Sequence, residues 1–123
     1  MTIRTIRTMA TAIAGAIIGI GLAALPTTVV AQGSAAIQQG QDVYTARKCN
    51  VCHLIGDVGN KKGPSLDGVG AKLSSEAIRQ WITNAPEMAG KANITRKPPM
   101  KAYTDLSKED LDALVAYIAS LKK

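Results

Sequence analysis

Two cysteines and one histidine, in the run Cys49-Asn50-Val51-Cys52-His53, are the side chains with the most reactive chemistry in this chain. A disulfide between Cys49 and Cys52 would close a very short loop and add little stability. A thioredoxin-like redox pair needs a βαβ unit around it, and no β-rich run precedes Cys49. A tetrahedral zinc site needs four ligands, usually Cys and His, whereas this chain offers three.

The remaining interpretation uses all three residues, because C-x-x-C-H is the attachment pattern of a c-type haem. On a helical turn, residues three and four apart lie on one face. Both sulfurs can then meet the two vinyl groups of the haem while His53 points at the iron. The motif therefore predicts one covalently bound haem c, held by Cys49 and Cys52, with His53 as an iron ligand.

The first 31 residues have the pattern of an export signal. Arg4 and Arg7 supply positive charge, residues 9–25 are apolar and uncharged, and residues 29–31 end in a small side chain. We expect this segment to be removed after residue 31, which leaves a periplasmic domain at residues 32–123. The apolar run of 17 residues is close to the length of a spanning helix, so a retained membrane anchor is the alternative.

The domain at residues 32–123 is basic and poor in aromatic side chains. Without Arg4 and Arg7 it has thirteen Lys and Arg residues against nine Asp and Glu residues, a net charge of +4. The basic residues are scattered, which favours an acidic protein partner over nucleic acid. Four aromatic residues and no Phe would make a thin core, so an additional constraint is needed, and a haem would supply it.

Two helices are predicted before residue 90. The first spans about residues 36–48, where apolar residues recur at helical spacing. The second begins after Ser74 or Ser75 as the N-cap, and it ends before Asn84-Ala85-Pro86.

The third helix has the clearest pattern. Ser107 is its predicted N-cap, in a capping box with Asp110, and apolar residues follow at helical spacing up to Leu121. The segment between His53 and Leu73 has five glycines and no strand alternation, so it is predicted to be a loop around the haem. One all-α domain is therefore expected.

The sequence resembles the monohaem class I cytochrome c family over nearly all of residues 32–123. Gly40-Gln41-Asp42-Val43-Tyr44 is similar to the first helix of that family, where a glycine and an aromatic residue pack against the last helix. Gly63-Pro64-Ser65-Leu66 is similar to the loop whose proline carbonyl accepts a hydrogen bond from the axial histidine, and this role falls on Pro64. An ordinary turn is the alternative for this Gly-Pro pair. The resemblance implies a small cytochrome c-like fold, with about three main helices around one haem.

Two methionines of the domain, Met88 and Met100, are candidates for the sixth iron ligand, since there is no second histidine. Met100 follows Pro98-Pro99, which exclude helix and favour an extended backbone. The resemblance also favours Met100, because Met100-Lys101-Ala102-Tyr103 is similar to the family's Met-Pro-x-aromatic segment. Lys101 stands where that family usually has the proline, so the rigidity of the segment would have to come from Pro98-Pro99.

Trp81, the only tryptophan, has two interpretations. It is either the largest core residue of the second helix or, as the resemblance implies, the donor of an indole N–H near a haem propionate. The predicted cofactor-binding residues are Cys49, Cys52, His53, Pro64, Trp81 and Met100, with His53 and Met100 on the iron.

This ligand set predicts an electron carrier and not an enzyme. With His53 and Met100 on the iron, substrate cannot readily reach it, and a neutral thioether raises the reduction potential. We expect a monomer that carries single electrons between periplasmic or membrane redox partners with acidic docking surfaces. The candidate docking residues are Lys61, Lys62, Lys72, Lys97 and Lys101. The alternatives are a haem subunit of a fixed dehydrogenase complex and, disfavoured by the lack of a second histidine, a sensor or peroxidase with a labile sixth ligand.

Overall fold

The computed structural model describes residues 28–123, with side chains from residue 32 onward. In chain order the elements are α1 (Thr28–Ala46), a 3₁₀ turn (Cys49–Val51), β1 (Leu54–Ile55), β2 (Val58–Gly59), α2 (Val69–Lys72), α3 (Ser75–Thr83), α4 (Ala85–Lys91) and α5 (Lys108–Ser120). Residues 1–27 of the predicted signal segment lie outside the described residues. The predicted cleavage point after residue 31 falls within the first turn of α1. Residues 28–123 contain no helix long and apolar enough to span a bilayer. The domain is mostly helical, as predicted.

The first and last helices, α1 and α5, cross at Gly40. A Cβ atom at Gly40 would lie 2.0 Å from the carbonyl oxygen of Ala113 and 2.6 Å from Cβ of Tyr117, so only glycine permits this approach. Tyr44, one turn along α1, meets the ring of Tyr117 edge to face, with 5.7 Å between the ring centroids. The predicted packing of Gly40 and Tyr44 against the last helix is confirmed.

The core lies between α1, α3 and α5. Its buried side chains come from all three helices: Val43, Tyr44, Ile78, Ile82, Leu114, Val115 and Ile118. Each helix places apolar residues three or four apart on one face, which is the arrangement that lets the three faces meet.

Side chains at the starts of α3 and α5 accept the hydrogen bonds expected of N-caps. The Oγ of Ser74 accepts from the N–H of Ala77 at 3.1 Å, and the Oγ of Ser107 accepts from the N–H of Asp110 at 3.1 Å. Of the two candidates for the first cap, Ser74 is therefore the one used. The carboxylate of Asp110 accepts from Gln39 of α1 at 3.3 Å, so this residue also joins α5 to α1.

Helix α4 was not predicted, because Pro86 was interpreted as the end of a helix. The structure places Pro86 in the first turn of α4. The first N–H groups of a helix have no acceptor within it, so a proline loses no hydrogen bond there. Pro86 therefore separates α3 from a second helix instead of ending the helical region.

The predicted loop after His53 contains regular structure. Leu54–Ile55 pairs antiparallel with Val58–Gly59, and the short helix Val69–Lys72 follows. Each strand has only two residues, which is too short to show alternation in the sequence.

Candidate haem site

Cys49 and Cys52 lie on a single tight turn after α1. Lys48 adopts a left-handed backbone conformation with φ of 56°, uncommon outside glycine, and this ends the helical path. The carbonyl of Cys49 then accepts hydrogen bonds from the N–H of Cys52 at 3.1 Å and from that of His53 at 2.9 Å. Both thiols are free and partly buried. One closed turn therefore carries both cysteines and leads directly into the histidine.

The imidazole of His53 is oriented by the loop opposite. The carbonyl oxygen of Pro64 lies 2.9 Å from Nδ1 of His53. A carbonyl only accepts hydrogen bonds, so Nδ1 carries the proton and Nε2 keeps a lone pair for a metal. Gly63 permits the contact, since a Cβ there would lie 2.9 Å from Cε1 and 3.0 Å from Nδ1 of the ring. This is the contact that the family resemblance implied for Pro64.

The backbone of His53 is held as well as its ring. Its carbonyl oxygen accepts from the hydroxyl of Tyr44 and from the N–H of Asn60, both at 3.3 Å. Burial, together with the nearby Cys49 and Tyr117 groups, raises the pKa of Tyr44 to about 12, so the phenol remains a donor at neutral pH. Gly59 of β2 passes so close that a Cβ there would lie 2.1 Å from the same oxygen.

The thiol of Cys49 is in a protected environment. Burial raises its pKa to about 11, although the charge of Arg47 acts in the opposite direction. A redox-active cysteine pair needs a lowered thiol pKa, so this environment argues against the thioredoxin-like interpretation.

The described residues fit a covalently bound haem. Two free thiols share one turn with a histidine whose Nε2 is available. Residues 28–123 contain no group of three His, Cys, Asp or Glu residues that could hold a metal ion.

The model of the cytochrome c family matches residues 37–122. The chain belongs to the cytochrome c family. It is therefore a haem c-type electron-transfer protein, and its haem is bound covalently.

The cytochrome is also similar to cytochrome c oxidase subunit 2 of Alkalihalophilus pseudofirmus. The two are 33% identical over 92 residues, which cover 68% of this chain and 25% of the relative. The chain thus spans about a quarter of the length of this curated relative. No solved structure matches the chain.

Residues 95–106 of the cytochrome, called here the methionine loop, carry Met100 outside any helix. Met100 is partly buried, whereas the two prolines before it are exposed. The N–H of Tyr103 donates to the carbonyl of Ile82 in α3 at 2.9 Å. Burial is the main factor that raises the pKa of Tyr103, and Tyr103 packs against the same buried core cluster as Cys49.

The other two candidate residues lie on neighbouring helices. Met88 is in α4 and Trp81 is in α3, and both are partly buried. Neither belongs to the partly buried residues that pack against the core cluster of residues 28–123. Both interpretations of Trp81 stay predictions.

Ser65 and Asp67 connect the loop after Pro64 to Gly56 through hydrogen bonds, and neither was predicted as a site residue. The carboxylate of Asp67 accepts from the N–H of Gly56 at 2.8 Å and from the hydroxyl of Ser65 at 2.7 Å. These bonds, first that to Gly56, lower the pKa of Asp67. The Ser-x-Asp spacing after Gly63-Pro64 is typical of side chains that form hydrogen bonds with the backbone of their own turn. This spacing was the feature of the sequence that could have indicated both residues.

Proposed function

We propose that this cytochrome is a monohaem electron carrier with His53 and Met100 as the axial ligands of its iron. The observation that carries the proposal is the contact of His53 with Pro64, which fixes the proton on Nδ1 and leaves Nε2 available. When bound, the haem supplies a reversible one-electron change at iron. Cys49 and Cys52 would hold it through thioether bonds, and one C-x-x-C-H run supports one haem per chain.

Met100 is the better candidate for the sixth ligand than Met88. The backbone of Met88 is committed to α4, where its N–H donates to Asn84 at 3.1 Å and its carbonyl accepts from Ala92 at 3.0 Å. Met100 lies in a segment without helix or strand, and its neighbour Tyr103 packs against the same buried core cluster as Cys49. A neutral thioether ligand at this position favours ferrous iron and raises the reduction potential.

An acidic redox protein is the proposed partner. All five candidate docking lysines are exposed, and none forms an ion pair among the described residues: Lys61, Lys62, Lys72, Lys97 and Lys101. Several acids, in contrast, are paired, including Asp105, Asp112 and Glu87. Positive charge is thus left free on the surface, where it speeds encounter with an acidic partner.

We further infer export of residues 32–123 to the periplasm as a monomer. The N-terminal pattern of residues 1–31 supports this location, which is also usual for domains of this family. The second candidate function is that of a haem domain in a fixed respiratory assembly. It is favoured by the similarity to an oxidase subunit.

The ligand assignment is tested by the weak red-edge charge-transfer band of a methionine–ferric bond. Oxidised wild-type protein is expected to show the band, Met100→Ala to lose it and Met88→Ala to keep it. Met100→Ala should also lower the reduction potential, since water or another hard ligand stabilises ferric iron. Loss of the band in Met88→Ala alone would reassign the ligand. If wild-type protein lacked the band and its reduced form bound carbon monoxide at once, the interpretation as a sensor or peroxidase would replace that as an electron carrier.

A further inference from the structure

We propose that Arg47 and Asp105 are positioning residues for Met100, and that their ion pair keeps the methionine loop closed against the cysteine turn. This inference rests on the proposed function, in which Met100 is the sixth ligand. It adds the contact that limits how often that ligand leaves the iron.

The ion pair joins segments that are far apart in the sequence. Nη1 of Arg47 donates to Oδ2 of Asp105 at 2.6 Å, and Nη2 lies 3.5 Å from the backbone carbonyl oxygen of the same residue. The guanidinium therefore contacts both the side chain and the main chain of Asp105, which a lysine ammonium would not do with the same geometry. The side chain of Arg47 is 32% exposed and that of Asp105 is 70% exposed.

Arg47 is the better anchored of the two residues. Its N–H donates to the carbonyl of Val43 at 2.9 Å, which continues the hydrogen bonding of α1 by one residue. Val43 and Tyr44 in that last turn are buried in the core. Only Lys48 separates Arg47 from Cys49, so the arginine is fixed to the core next to the cysteine turn.

The methionine loop has few other polar contacts. Over residues 95–106 a single backbone–backbone hydrogen bond reaches the rest of the domain, the bond from Tyr103 to Ile82. The ammonium of Lys101 lies 4.8 Å from the centroid of the Tyr103 ring, but this contact stays within the loop. Tyr103 and Leu106 also pack against the buried core cluster, and Asp105 adds the charged contact that joins the loop, on the C-terminal side of Met100, to the residue next to the cysteine turn.

The pair also differs from the other ion pairs of residues 28–123. Those pairs join residues within or between helices: Arg79–Glu76 in α3, Arg79–Asp112 between α3 and α5, Lys91–Glu87 in α4 and Lys108–Asp112 in α5. Arg47–Asp105 is the pair whose members both lie outside the helices. Its loss would therefore release the loop without releasing a helix.

Cyanide binding to the oxidised holoprotein tests the proposal, because cyanide can bind only after the methionine has left the iron. Arg47→Gln and Asp105→Asn remove the charge attraction with little change in size. Each is expected to speed cyanide binding about threefold to fivefold, as for the loss of one surface ion pair. The double variant should be no faster than the faster single variant, since both changes break the same contact.

Arg79→Gln is the matched control, because it breaks a similarly short ion pair, with Asp112, that does not involve the methionine loop. It should bind cyanide at the wild-type rate, and all variants should keep the methionine band before cyanide is added. Wild-type rates in Arg47→Gln and Asp105→Asn would overturn the proposal. So would additive effects in the double variant, or an equal acceleration in Arg79→Gln.

Failure of the ligand assignment would look different. In that case wild-type protein would lack the methionine band, or Met100→Ala would leave both the band and the cyanide rate unchanged. Failure of the positioning role alone leaves the band dependent on Met100 and leaves only the two loop variants at wild-type rates.

Discussion

The two segments that carry the proposed iron ligands are held in different ways. On the histidine side, residues 49–67, the ring and the backbone of His53 are each hydrogen-bonded, and the N–H of Gly63 donates to the carbonyl of Cys52 at 2.7 Å. Apart from the packing of Tyr103 and Leu106 on the core cluster, the methionine loop has one backbone bond to the rest of the domain and one surface ion pair. His53, the proposed permanent ligand, thus lies in the denser hydrogen-bond network. The proposed exchangeable ligand lies on a segment that can open locally at small cost.

The largest effect is expected for Gly59→Ala, which tests how little space the histidine side leaves. A Cβ at Gly59 would lie 2.1 Å from the backbone oxygen of His53, and φ of 117° is unfavourable for any other residue. We expect a loss of about 3 kcal/mol in the free energy of unfolding, measured on the holoprotein by denaturant titration.

Gly56→Ala is the control for that substitution. Gly56 also has a positive φ, of 56°, but nothing lies within 4 Å of its Cβ position. It should cost only about 1 kcal/mol. Equal losses in the two variants would show that backbone conformation, and not the approach to His53, makes Gly59 necessary.

A smaller effect is expected for Tyr44→Phe, which removes the hydroxyl that donates to His53. The lost hydrogen bond should cost about 1 kcal/mol of unfolding free energy, while the ring contact with Tyr117 remains. Tyr117→Phe keeps the same ring contact and does not touch the bond to His53, so it should cost less. If Tyr117→Phe were the more damaging change, the bond from Tyr44 to His53 would not be a significant part of the histidine side.

The smallest effects are expected from acid. Hydrogen bonds lower the pKa of Asp67, chiefly that from Gly56, and the pKa of Asp105, chiefly that from Arg47. Because both folded-state pKa values lie below the unfolded ones, the stabilisation is present above the unfolded pKa and is lost as pH falls through the folded pKa. Stability should therefore decline below about pH 4.

Acid should act differently on the two segments. We expect Asp105→Asn to make the methionine band less sensitive to acid pH. We expect Asp67→Asn to make only global unfolding, followed by far-ultraviolet circular dichroism, less sensitive to acid pH. Asp57→Asn, which removes an exposed carboxylate between β1 and β2, is the control. Identical acid titrations of the band in wild type and Asp105→Asn would remove the distinction drawn between the two segments.

Residues whose effect is local were the ones the sequence predicted well. The spacing of Cys49, Cys52 and His53 indicated the haem, and Ser74 and Ser107 indicated two helix starts, whereas the helix crossing at Gly40 was implied by the family resemblance. For the haem motif and the two helix starts, the physical requirement acts within a few residues.

The rest depends on contacts that local patterns do not record. Pro86 can end one helix or begin another, and only the packing of α4 shows which applies. The pairing of Arg47 with Asp105 joins residues 58 positions apart, and nothing near either residue indicates the other. The signal segment and the roles of Met100 and Trp81 stay predictions.

The crossing of α1 and α5 has a consequence for how the chain folds. Gly40 and Ala113 touch across almost the whole domain, so nearly all of the intervening chain is enclosed in one loop when they meet. Closing so long a loop carries a large entropic cost, and contacts of this kind slow folding. Once α1 and α5 have met, the contacts that form between them in the sequence close shorter loops than this first one. These contacts include those that bring the methionine loop to the cysteine turn.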